Sequence, residues 1–107
     1  MSPELDLLER LTGEDTSLHE AAFGSCYPFR DLAHAKQVVA VYLQLGLVEL
    51  YDRRPEPDAV IAYHTSRWLL EEPSNWERET RYFLRITQKG YQQLAEDSQG
   101  FFDRLFS

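Results

Sequence analysis

The side chains of this sequence with the clearest chemical potential are cations and amides. Lys36, Gln37, Val41 and Gln44 fall within one short stretch. Gln37 can pair bidentately with adenine, Lys36 can reach guanine or a phosphate, and Val41, with Ala40, can touch a thymine methyl. The Arg53-Arg54 doublet and Lys89 are residue types that hold a phosphate backbone. The same surface, with Ala33 completing three small apolar groups, serves equally as a flat protein contact.

Catalytic and metal chemistry find less to work with. His19, His34 and His64 lie in separate segments, and no Ser-His-Asp or Cys-His arrangement is suggested locally. Glu71-Glu72 and the pair Glu77 and Glu79 sit in a stretch so charged that a solvated face is their natural reading. Cys26 is the single cysteine, which excludes an internal disulfide, and Arg30 is its only nearby cation, so a half-buried structural thiol is expected. The expectation is a non-enzymatic chain with no metal and no cofactor, in a reducing compartment, most simply the cytoplasm.

These residues need elements to position them. Ser2, Pro3 and the apolar set Leu5, Leu8 and Leu11 predict a first helix over Pro3 to Leu11. Thr16 or Ser17 caps a short second helix, with Glu20 placed for a capping box and Leu18, Ala21, Ala22 and Phe23 turned inward. Gly24 to Pro28 reads as a turn. Leu32, Ala35, Val39, Tyr42 and Leu45 have the three-and-four spacing of a buried helix face, so a third helix from Phe29 or Arg30 to Leu45 presents Lys36, Gln37, Val41 and Gln44 outward. Gly46 ends it in the left-handed conformation, and Leu47 to Tyr51 continue as a strand.

Arg53 to Asp58, with two prolines, reads as a loop. Ala59 to Tyr63 fits either a strand or a helix start. Thr65 to Glu72 predicts a helix capped by Thr65, stopped by Pro73 and anchored by Trp68 and Leu69; Trp76 reads as a second core anchor. Tyr82, Leu84 and Ile86 alternate with partly wetted neighbours in a further strand. Thr87 then caps a helix from Gln88 to Asp97, with Tyr91, Leu94 and Ala95 inward. In the ending, Phe101, Phe102, Leu105 and Phe106 form an apolar stripe that either folds back on the first helix or meets its counterpart in a second subunit.

The run Tyr42-Leu43-Gln44-Leu45-Gly46-Leu47-Val48-Glu49, followed by Tyr82 to Ile86 and the phrase Thr87, Gly90, Leu94, resembles the winged helix-turn-helix domain. The resemblance implies a mainly α fold with a small antiparallel β wing (α+β), a single domain over 1–107, and a wing insertion at about 54–80. It also implies a recognition helix, here the third, in the major groove of double-stranded DNA, and a homodimeric transcription regulator. Residues 24–29 form a longer connection than the tight turn of that family.

Charge bears on that implication. The chain of 107 residues carries a net charge of -7, whereas a duplex-binding surface must neutralise phosphates. Residues 1–27 hold six acids and one arginine, and residues 55–80 six acids and two arginines. The cations gather in 28–54 and 81–107, each with four cations against three acids. An acidic winged-helix module that binds a protein partner instead of DNA is the alternative, with a basic partner expected for residues 56–79. A contiguous positive face on the third helix is expected for DNA, and a broken or negative face for protein. No signal peptide or membrane span is expected.

Overall fold

The computed structural model describes residues 2–24 and 28–106, with the side chains of 97–99, 102 and 103 outside the described set. The Cys26 thiol, most of the Gly24 to Pro28 turn and the Phe102 side chain therefore lie outside it. Among the described residues the fold is α+β: five α-helices and one 3-10 turn around a four-stranded antiparallel sheet. Helix α1 (Pro3–Leu11) begins where the Ser2 hydroxyl accepts the Leu5 N–H at 3.2 Å, with proline in the first turn. Strand β1 (Thr16–Ser17) was not expected. It is too short to show an alternating pattern, and Ser17 also caps α2 (Leu18–Phe23), its hydroxyl accepting the Glu20 N–H at 3.1 Å. Phe23, expected inward, is 58% exposed because the helix ends there.

Helix α3 (Leu32–Gln44) starts later than predicted. Asp31 takes the cap, accepting the His34 N–H at 2.8 Å, and Phe29 is buried ahead of the helix, edge-on to the His34 ring. The His34 ring binds two further partners. Its Nδ1 accepts from the Arg30 N–H at 3.2 Å, which leaves Nε2 to donate to the Glu4 carboxylate at 3.0 Å and tie α3 to α1. Tyr42 adds a second tie, its hydroxyl donating to the Glu4 carbonyl at 2.6 Å.

Gly46 has φ +74° and reverses the chain into β2 (Val48–Asp52). The ambiguous stretch 59–63 divides: Ala59–Ile61 is strand β3, and Tyr63 opens helix α4 (Tyr63–Glu71), two residues before the expected cap; Ala62, with no side-chain bond, stands at the cap position in place of Thr65. A 3-10 turn (Pro73–Trp76) leads to β4 (Tyr82–Ile86). The sheet order is β1-β4-β2-β3, with Val48, Leu50 and Asp52 opposite Ile86, Leu84 and Tyr82. Val48, Leu50, Leu84 and Ile86 are buried with Leu7, Leu8, Leu18, Val38, Val39 and Tyr42 in one apolar core.

The other side of the β2–β4 pair carries a ladder of rings and ions. Glu49 pairs with Arg85 at 2.6 Å, Arg85 lies 4.8 Å over the Tyr51 ring, Tyr51 tilts against Phe83, and Arg53 lies 4.2 Å over Phe83. The Tyr51 hydroxyl donates to Asp15 at 2.7 Å.

Helix α5 (Gln88–Phe106) is continuous where a break before Gly100 was expected. Its start is the tightest junction of the fold. The Thr87 N–H donates to the Leu47 carbonyl at 3.0 Å, while its hydroxyl donates to the Gly46 carbonyl and accepts the Gly90 N–H at 3.1 Å. A Cβ on Gly90 would run into that Leu47 carbonyl and the Ile86 side chain. Leu94 packs partly inward, whereas Tyr91 and Ala95 are exposed, contrary to expectation, because the inward stripe drifts toward Phe101 and Leu105 along the longer helix. Among the described residues, no helix is long and apolar enough to cross a membrane.

Two outcomes follow from this packing. Gly90→Ala should lower unfolding stability in urea by about 1–3 kcal/mol, the cost of forcing a methyl into a filled contact. The second concerns alkali. Burial, then the Glu4 charge, holds the Tyr42 phenol well above its ordinary range, and burial with the Asp15 hydrogen bond pushes Tyr51 up to about 12. Above about pH 10 the unfolded chain sheds these protons while the folded chain keeps them, so the unfolded state binds fewer protons and stability falls as pH rises. Urea midpoints measured from about pH 9 to 11 should decline, and phenolate absorbance of the folded chain at about pH 11 should fall short of its six tyrosines.

Candidate functional site

The stripe that the sequence places on the outer side of α3 runs beside a second helix. Ala33, Lys36, Gln37 and Ala40 line one wall of a groove of about 550 Å³, and Tyr63, Arg67 and Glu71 of α4 line the other. Helix α4 lies there because Ser66 and Leu70, one turn apart, are buried on its inner side, with Leu69 partly buried beside them. The 3-10 turn locks it further: Trp76 is 2% exposed and donates its indole N–H to the Leu70 carbonyl at 3.0 Å, while its own carbonyl lies 3.1 Å from the His19 ring. Asn75 donates to the Leu69 carbonyl at 2.8 Å.

The positive face is broken by this arrangement. The Lys36 ammonium reaches the Glu71 carbonyl at 3.5 Å, at the negative end of the α4 dipole, and the Glu71 side chain borders the same groove. Gln37 and Gln44 are exposed and Val41 is half-buried.

The expected phosphate-holding residues are mostly engaged. Arg53 stacks on Phe83, and Arg54 approaches Asp52 at 3.9 Å while its backbone N–H donates to the same carboxylate at 3.0 Å. Arg81 meets the other Asp52 oxygen at 3.4 Å. Arg85 is held by Glu49, whose hydrogen bond raises the guanidinium pKa above its ordinary value. Lys89 is exposed beside the Gly46 turn. The structure thus brings Lys36 and Gln37 together in the α3–α4 groove and leaves Arg53 and Arg54 on the separate β2–β3 loop.

Of the terminal stripe, Phe101, Leu105 and Phe106 are partly buried against the core, and the Phe106 ring lies 5.7 Å from that of Tyr42. The stripe folds back on the body, the first of the two arrangements expected for it.

Trp68 is a further residue that the sequence reading misplaced. Expected as an anchor, it is 79% exposed on the outer side of α4, where it borders a second groove of about 280 Å³ with His64, Arg67 and Glu71. The signal was present in the spacing: Ser66, Leu69 and Leu70 form an i, i+3, i+4 set, and position 68 falls away from its centre. Among the described residues, no group of three or more His, Cys, Asp or Glu is placed to hold a metal ion.

Comparison with family models, curated proteins and solved structures yields no match for this chain.

The two tryptophans should separate in stability measurements. Trp68→Ala should leave the urea unfolding free energy within about 0.5 kcal/mol, as for an exposed position. Trp76→Phe should cost about 1–3 kcal/mol, through a small cavity and an unpaired Leu70 carbonyl.

Proposed function

We propose that this chain is a non-enzymatic protein-interaction module of winged-helix type, carrying its acidic insertion toward a basic partner. The order of α1, β1, α2, α3, β2 and β4, with those strands in a β1-β4-β2 sheet, supports the winged-helix reading; β3, α4 and the 3-10 turn are the addition. The observation that carries the choice of partner is α4 lying along the candidate base-reading stripe of α3. A major groove about 12 Å wide admits one α-helix, itself about 10–12 Å across with side chains, and has no room for two abreast. The paired state of Arg81 and Arg85 and the net charge of -7 argue the same way.

A second reading, duplex DNA held through the β2–β3 loop, is favoured by one feature: Arg54 keeps 65% of its side chain exposed there, next to exposed Arg53.

Selection from a random duplex pool with folded protein at low salt tests the choice. The expected outcome is no enrichment. Convergence on a motif whose affinity falls steeply with salt, and is lost in Arg53→Ala with Arg54→Ala, would overturn the interaction reading in favour of a DNA-binding regulator.

A further inference from the structure

The sheet ends at β3, and among the described residues no strand lies on the far side of it. The direction of its backbone groups follows from the ladder. The Leu47 carbonyl accepts the Thr87 N–H and the Arg53 N–H donates to the Arg81 carbonyl, so residues 47, 49, 51 and 53 turn their backbone groups toward β4. Leu50 and Asp52 therefore turn theirs toward β3, where they meet Ile61 and Ala59. Val60, opposite Tyr51, is the residue left over: its N–H and C=O both leave the sheet at the outer edge. The edge is open to approach, since Val60 is 55% exposed and Asp58, Ala59 and Ala62 are exposed around it.

Sheet edges are ordinarily blunted by lysine, proline or a covering element. Ala59-Val60-Ile61-Ala62 carries no charge and no proline, and shortness is its main protection. Such an edge is met by another extended backbone, which supplies the complementary N–H and C=O. A second copy supplies it in register with itself. Turned about a two-fold axis at Val60, two edges run antiparallel, and each Val60 exchanges both backbone bonds with the other. Ala59 then faces Ile61 and Asp58 faces Ala62, so no like charges are opposed along the strand. The same register carries Glu56 of each copy toward His64 of the other, while Arg53 and Arg54 stay engaged by Phe83 and Asp52.

We infer that β3 pairs antiparallel with β3 of a second copy, joining the two four-stranded sheets into one continuous sheet through Val60. The two Val60 side chains meet on the face that carries Tyr51 and shield each other from water. The contact is small, so the dimer is weak and reversible. It does not rest on the basic-partner reading, because it uses the backbone edge and not the acidic surface.

Sedimentation equilibrium of the full chain over a range of concentrations tests it, in about 0.15 M salt so that charges more than about 8 Å apart are largely screened. The average mass should rise from one chain toward two. Val60→Pro is the diagnostic change, because proline lacks the outward N–H yet sits on an edge without costing a β2–β3 bond. It should weaken association about tenfold or more, as should Val60→Lys, which sets like charges against each other at the axis. Val60→Thr, another strand former, should keep the dimer. In the parent, exchange of the Val60 amide hydrogen should be slowed at high concentration and not at low.

A chain that stays monomeric to its highest soluble concentration would overturn the inference. So would a dimer that Val60→Pro and Val60→Lys, both folded by circular dichroism, leave as tight as the parent, since the copies would then meet elsewhere. Should Val60→Pro fail to fold, Val60→Lys and the amide exchange decide between the same two results.

Discussion

The seating of Gly90 on the Leu47 carbonyl is the contact on which the arrangement of the fold depends. The last helix must leave the sheet at once after β4, and it does so across the point where α3 has just turned into β2. Three groups meet there: the Gly46 carbonyl at the left-handed turn, the Leu47 carbonyl at the strand entry, and the Gly90 N–H in the first turn of α5. Thr87 satisfies all of them, two through its hydroxyl and one through its own N–H. With that junction fixed, Val48 must lie opposite Ile86, and the register of the β2–β4 pair follows residue by residue. Leu50 and Leu84 then face the core together, and Glu49 and Arg85 face outward together.

The outward face of the β2–β4 pair is closed by its own side chains. Its residues stack cation, ring, ring and cation in sequence along β2 and β4, with the hydroxyl of Tyr51 closed by Asp15. Each contact contributes modestly, about 0.2–1 kcal/mol for a cross-strand pair. Arginines that composition alone would assign to phosphates are consumed by this stacking. The positive charge of the 81–107 segment is therefore less available to a ligand than its count implies.

Much of the frame was legible in the sequence because it rests on local physics. Ser2 and Pro3 place the start of α1, Gly46 places the reversal, and the alternation of Tyr82, Leu84 and Ile86 places β4; each signal lies within a few residues of what it determines. What escaped depends on distant partners. Thr16 and Ser17 are a strand only because Leu84 and Phe83 lie beside them. The start of α3 passed to Asp31 because Phe29 is drawn into the core. Trp68 is the clearest case: it and Trp76 were both expected as core anchors, and only Trp76 is buried, carried against α2 by the 3-10 turn that begins at Pro73. Gln37 and Gln44 of the candidate stripe are exposed on α3 as expected, with Lys36 and Val41 half-buried; α4 was legible as a helix, but its seat beside α3 was not visible in any local pattern.

The β2–β4 pair ends at Asp52 and Tyr82, which face each other across the ladder, closed just beyond by the Arg53 N–H on the Arg81 carbonyl at 3.0 Å. Everything between them hangs from a sealed stem. The remaining strands and helices experience that long excursion much as they would a hairpin turn, since lengthening a closed loop adds entropy only slowly. Strand β3, paired to β2, and the buried Ser66, Leu70 and Trp76 limit this independence. The exposed surface of the excursion can therefore be rewritten or recharged over evolutionary time without renegotiating the scaffold, provided that pairing and those buried side chains stay in place. Surface character and foldability are in this way carried by different residues of the same segment.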